Sequence, residues 1–297
     1  MVSPLQTSDP LIFDRHTIRK SRERTISKFQ DHDFLFTWSA KQLLTRLRDI
    51  KRTFPLTLQI GSRYPLFLQD IGEKAEHIVT LDCTPFPVCP CTSYIQAEEE
   101  ILPIAPNSLD LVISNLDLHS VNDLPGTLVQ ICSSLKPDGL FLATLLGGET
   151  LHELRDVLTQ TELNLRSGTS PRVAPFADKP QMGALLQRAG FALPVIDSEI
   201  LTVTYSNIFS LMHDLRYMGE NNAIMAREKT FPGKDFFMDA AKRYQDTYSE
   251  PDGRITATFE IIFLIGWAPD PSQQKPLKPG SAKHSLAKAL GTKETKL

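Results

Sequence analysis

Short apolar runs alternate with segments of helical period along most of this chain. "LTLQI" from Leu56, "HIVTLD" from His77, "TSYIQ" from Thr92, "LDLVIS" from Leu109, "LFLATLL" from Leu140, "VIDSEILTVTYS" from Val195 and "ATFEIIFLIGWA" from Ala257 read as seven strands. Helical patterns between them are the signature of βαβ units and a largely parallel sheet. The last two runs are long and lie far downstream, so an antiparallel edge strand is expected to close the sheet.

Flanking patterns complete the division. "SAKQLLTRLRDIKRTF" puts Leu43, Leu44, Leu47 and Ile50 on one helical face, with Ser39 as the expected cap. Before it, "IFDRHTIRKSRERTISKF" is dense in Arg and Lys, and Ile18 and Ile26 are too sparse for an apolar stripe, so a solvated helical arm is expected. Residues 1–52 form that N-terminal helical arm in this reading, 53–267 the α/β domain, and about 207–248 a helical insertion before the last strand, which reads as a lid or as a helical cap that covers the sheet. Residues 268–297, rich in Lys, Pro, Ser and Gly with little to bury, read as a disordered tail.

Composition narrows the function classes. With 297 residues, 41% of them hydrophobic and 23% charged, the chain can build a sizeable core. A net charge of -3 argues against a general nucleic-acid binder. No apolar run approaches the roughly 20 residues that span a bilayer. Cys83, Cys89, Cys91 and Cys132 without a secretory signal suit free thiols in a reducing compartment. The stretch before Arg15 carries no Arg or Lys, unlike a signal peptide or an Arg-rich presequence, and a bacterial cytoplasmic location is expected.

Candidate chemistry begins at "LTLQIGSRYPLF". A parallel sheet binds ligands beyond the C-terminal ends of its strands, where the first βα loop cradles the cofactor. Gly61 lies at that place, and Asp82 follows it by 21 positions, the separation of an acid that binds ribose hydroxyls from the end of the second strand. "DCTPFPVCPC" lacks the paired C-x2-C spacing of a zinc site, and no His begins an H-x-D or H-x-E triplet, so neither zinc nor a standard iron triad is expected; no metal is assigned.

The stretch "AEEEILPIAPNSLDLVISNLDLHSVNDLPGTLVQICSSLKPDGLFLATLLGGETLHELR" resembles class I S-adenosylmethionine-dependent methyltransferases, in which an acid, an LP pair, a D-L-V-x-S strand, an L-H and "LKPDG" recur in this order. "IFDRHTIRKSRER", "HSVNDLPG", "GGETLHELR", "SPRVAPF", "LLQRAGFALPVID", "LMHDLRYMGENNA" and "DGRITATFEIIFLIGW" extend the resemblance from Ile12 to Trp267, to the mitochondrial complex I assembly factor 5 family and its alphaproteobacterial relatives. The resemblance implies an α/β, Rossmann-like class I methyltransferase fold with a seven-stranded mostly parallel sheet. It also implies a protein partner, such as a complex I subunit, and modification of an arginine by hydroxylation. An ordinary methyltransferase for a small molecule or carrier-bound acyl group, and a non-catalytic assembly chaperone, stand as alternatives.

The resemblance implies a cofactor set of Gly61, Ser62, Asp82, Cys83, Glu98, Ser114 and Asn115, with Glu98 toward the adenine. The family's glycine-rich loop is here Gln59 to Pro65 and keeps only its first glycine. S-adenosylmethionine binding is therefore expected to be weakened or lost: Arg63 adds bulk and Pro65 removes an N–H donor. Asp117 and His119 are the catalytic candidates, His119 as a base or as a structural histidine. Glu149, Arg155 and Arg172 read as groove residues or surface ion pairs, and Asp214 and Glu220 as acids on the lid that meet a basic peptide. Glu99 and Glu100 read as a solvated charge run.

Overall fold

The computed structural model describes residues 11–61, 71, 74–85, 93–166, 168–274, 281 and 285–292. Seven strands form one sheet: β1 (Leu56–Ile60), β2 (His77–Asp82), β3 (Ser93–Gln96), β4 (Leu109–Asn115), β5 (Leu135–Leu146), β6 (Ala192–Tyr205) and β7 (Ile255–Trp267), in the order β3-β2-β1-β4-β5-β7-β6. β1 to β5 run parallel, and β7 is antiparallel to both β5 and the outermost strand β6. The parallel sheet with an antiparallel closure is the arrangement the strand pattern predicts.

Seven helices of at least ten residues accompany the sheet among the described residues: α1 (Arg15–Thr25), α2 (Phe34–Asp49), α3 (Leu124–Ser134), α4 (His152–Leu165), α5 (Lys179–Arg188), α6 (Ile208–Tyr217) and α7 (Lys234–Tyr248). Strand alternation divides the core. Leu111 and Ile113, Leu140 and Leu142, and Phe259, Ile261 and Phe263 pack on one face with α2, α4, α6 and α7. Val112, Phe141, Ala143, Ile262 and Leu264 face the other way, toward α3 and α5. Period-two side chains on strands buried on both faces produce this three-layer sandwich.

Two N-terminal expectations change. Ser39 is no cap: α2 starts at Phe34, and the Ser39 hydroxyl donates to Thr144 Oγ1 at 2.9 Å inside the core. Leu35, Phe36, Ser39, Ala40, Leu43, Leu44 and Leu47 form one buried stripe, so the helical period begins before the serine and carries it inward. Nor is the arginine-rich segment a solvated arm, because Ile18, Ser21, Arg22 and Thr25 of α1 are buried. The segment before α1 is clasped on both sides. Asn122 accepts from Ile12 N and Phe13 N, while Phe13 bridges to Ile224 and Asp14 N donates to Ala223 O. Thus "IFDR", "HSVND" and "GENNA", far apart in sequence, are one structural unit.

Candidate functional site

Strand order reverses between β1 and β4, and the C-terminal ends of these strands flank the position where open α/β sheets bind ligands. Gly61 leaves β1 with φ +81°, and a Cβ there would lie 2.7 Å from Asp117 Cγ, so the position needs glycine for backbone and space alike. Asp82, fully buried at the end of β2, accepts at Oδ1 from Thr84 N and Thr84 Oγ1, both at 2.7 Å. β4 ends in a left-handed turn at Leu116 (φ +50°), unusual for a residue other than glycine, and this turn delivers Asp117 and His119. Asn115 turns inward, donating to Phe36 O and accepting from Thr144 Oγ1, while Ser114 Oγ is buried beside it without a hydrogen-bond partner among the described residues.

Into this acidic region α1 inserts two arginines. Arg22, 2% exposed, pairs with Asp117 at 2.8 Å and Glu99 at 3.3 Å, and its Nη1 lies 3.7 Å from Cys83 Sγ. Burial opposes its charge, but the carboxylates of Asp117, Asp82 and Glu220 outweigh that cost and hold the guanidinium protonated. Arg15 binds Glu98 at 3.0 Å, pairs with Glu99 and donates to Ser120 O at 3.1 Å. Glu99 is therefore no solvated charge, since it is fully buried between two guanidiniums. Burial pushes the Cys83 thiol up despite the pull of Arg22, which keeps it protonated and weakly nucleophilic.

Beside the acidic region lies a cavity of about 560 Å³, mostly apolar, walled by α1, α4, α6 and the loops after β4 and α6. Phe13, Leu154, Phe209 and Met212 give it apolar walls, and Arg22, His119, Arg172 and Glu220 converge on it. A few polar groups in an apolar concavity suit a small ligand or an inserted side chain. His119 Nε2 meets Glu220 Oε2 at 3.1 Å, and its buried Nδ1 has no hydrogen-bond partner among the described residues. With Nε2–H donating to Glu220, Nδ1 presents a lone pair that can take a proton.

The remaining candidates separate. Arg172 reaches the cavity while paired with Glu162 and Glu228. Arg155 donates to Gly148 O and Thr150 O, securing the turn before α4, and Glu149 is exposed. Asp214 pairs with His32 at 2.5 Å rather than facing a groove. Ser62, Cys89 and Cys91, the loop from Arg63 to Pro65 and parts of the tail lie outside the described residues. Arg15 and Arg22 are the site residues sequence reasoning missed. Their only signal was an arginine-rich helix too polar to pack yet preceding an acid-rich domain.

A family model described as "Methyltransferase domain" matches residues 58–143. The chain is 38% identical to "Arginine-hydroxylase NDUFAF5, mitochondrial" of Homo sapiens, over 95% of this chain and 85% of that one. To a malonyl-[acyl-carrier protein] O-methyltransferase of Gallionella capsiferriformans it is 30% identical, over 88% and 93%. Among solved structures, the YcgJ protein of Bacillus subtilis superposes with TM-score 0.55 at 14% identity, covering 77% of this chain and 99% of that one, which is a likeness of fold.

Proposed function

The chain belongs to the family of the NDUFAF5 arginine hydroxylases, and from that premise we propose that it acts on an arginine of a protein partner during assembly of respiratory complex I. One observation carries the reading: the apolar cavity presents the Glu220 carboxylate beside His119, next to acids that hold the chain's own Arg15 and Arg22 guanidiniums. Planar bidentate pairing is the strongest way carboxylates recognise arginine. A partner's arginine would enter the neighbouring cavity past Phe13 and Met212, with Glu220 and His119 at its polar end.

The same region fits S-adenosylmethionine in part. Asp82 ends β2 and Glu98 follows β3, the positions from which the family resemblance implies ribose and adenine contacts, and the left-handed Gly61 turns the chain beside them, but Asp82 is fully buried and the Arg22 guanidinium sits against Cys83 and Asp117. When bound, the cofactor would supply an electrophilic methyl group or, with its chemistry unused, a structural ligand. Asp82 and Glu98 would hold it, and Arg22 would have to shift to admit it. Calorimetric titration with S-adenosylhomocysteine should show weak binding that Asp82→Ala weakens further. Equal, tight binding by both proteins removes Asp82 from the site.

A second reading is favoured by the cavity's apolar walls and the similarity to an O-methyltransferase: methylation of a carrier-bound acyl group. Deleting the gene in its host separates the two. The first reading expects less assembled respiratory complex I on native gels, and normal complex I overturns it.

As to location, no helix among the described residues is long and apolar enough to cross a membrane. A bacterial cytoplasmic placement remains part of this proposal.

A further inference from the structure

At α6, three donors converge that no sequence spacing relates. His32 leaves the turn before α2, and His213 and Asp214 are neighbours on α6. One nitrogen of each histidine and one oxygen of Asp214 all lie within 4.8 Å of one another. We propose that His32, His213 and Asp214 form a binding site for one divalent first-row transition-metal ion.

The geometry supports this in four ways. Adjacent residues on a helix point about 100° apart, so His213 and Asp214 cannot enclose an ion by themselves, and His32 arrives from a second element to close the set. Bonds of about 2.0–2.2 Å to imidazole and carboxylate place such donors about 3 Å apart. The widest separation must contract by up to about 2 Å, and the His32 Nδ1 to Asp214 Oδ1 contact of 2.5 Å must open slightly. The donors are also oriented: Tyr217 stacks on the His32 ring at 4.8 Å and 15° and meets the His213 ring at 4.5 Å. Supporting groups of this kind hold metal ligands in place.

Finally, the site is accessible. His213 is exposed and also lines the 560 Å³ cavity, so the set is open to solvent at this residue. Two imidazoles and one carboxylate with open positions are the donor set of non-haem iron(II) centres that bind dioxygen. Lys28 Nζ lies 5.0 Å from the centroid of the Tyr217 ring that stacks on His32. The site stands independently of the arginine reading, since it concerns metal affinity alone.

The test is titration of the full, metal-free chain with Co²⁺ alone, followed by visible absorption and calorimetry. One ion per chain is expected, with binding at least about tenfold weaker in His213→Gln and in Asp214→Asn, both shown to be folded by thermal melting. Cobalt should also raise the melting temperature of the wild type and leave both variants unmoved. Cys83→Ser serves as control, because Cys83, Glu98 and Glu99 are the other set of converging donors among the described residues, and it should bind as the wild type does. Absence of binding by the wild type, unchanged affinity in both variants, or loss in Cys83→Ser overturns the proposal.

Discussion

Arg22 carries more of the site than any other side chain, because a fully charged guanidinium at 2% exposure is tolerable only while Asp117 and Glu99 stay beside it. Arg22→Ala should cost about 3–5 kcal/mol in urea denaturation, since it takes the 2.8 Å guanidinium partner from the buried Asp117 carboxylate and leaves the buried Glu99 with Arg15. Adding Glu99→Gln should recover part of that loss, and strictly additive losses would show that the pair is not coupled. None of this was legible locally. Glu99 lies 77 positions from Arg22, and a polar helix with one buried isoleucine looks solvated when its acidic partners are unknown. Asp82, Asp117 and His119, in contrast, were legible because strand ends fix where side chains gather. Gly61 is similar: Gly61→Ala should lower stability by about 1–3 kcal/mol through its left-handed φ alone, with the Asp117 contact adding to it, as thermal melting can check.

Among the elements, α1 depends on its first residue boundary. Asp14 caps the helix by accepting from Thr17 N at 3.0 Å and Thr17 Oγ1 at 2.7 Å, and Arg227 pairs with it at 3.1 Å. The Thr17 hydrogen bonds, then Arg227, lower its pKa from 3.8 to about 2. A carboxylate whose folded pKa is depressed contributes stability that is fully present above its unfolded value and is lost as pH falls through the folded one. Asp14→Ala should therefore cost about 1 kcal/mol at neutral pH, and its difference from the wild type should shrink between about pH 4 and pH 2 in denaturation series. An unchanged difference across that window would place the stabilisation elsewhere. The sequence reading took Ser39 as a cap and passed over Asp14, which entered only within the "IFDR" motif. Only tertiary packing against Thr144 tells a short polar residue inside a helix from one at its end.

At the scale of the whole molecule, the seven strands and their antiparallel closure were readable from the apolar runs, whereas the roof over the strand ends was not. That roof is assembled from α1, the loop of Asn122 and the residues around Asn221 to Ile224, joined by backbone and amide hydrogen bonds across more than 100 residues. The insertion, read from sequence as a lid or a helical cap, is joined to this roof as well, through His32–Asp214 and His119–Glu220. Replacing both acids with alanine should thus lower the melting temperature as well as weaken partner binding, so each loss must be measured separately. The central claim is that this cavity serves arginine modification on an assembling complex I subunit. Its most direct test is peptide mass spectrometry of the arginines in complex I subunits from cells carrying the wild-type gene, no gene, or His119→Gln. The account predicts one arginine bearing the mass of an added oxygen in the first and lacking it in the second, with His119→Gln reduced. An unmodified arginine set in the wild type, or the same modification without the gene, would contradict it.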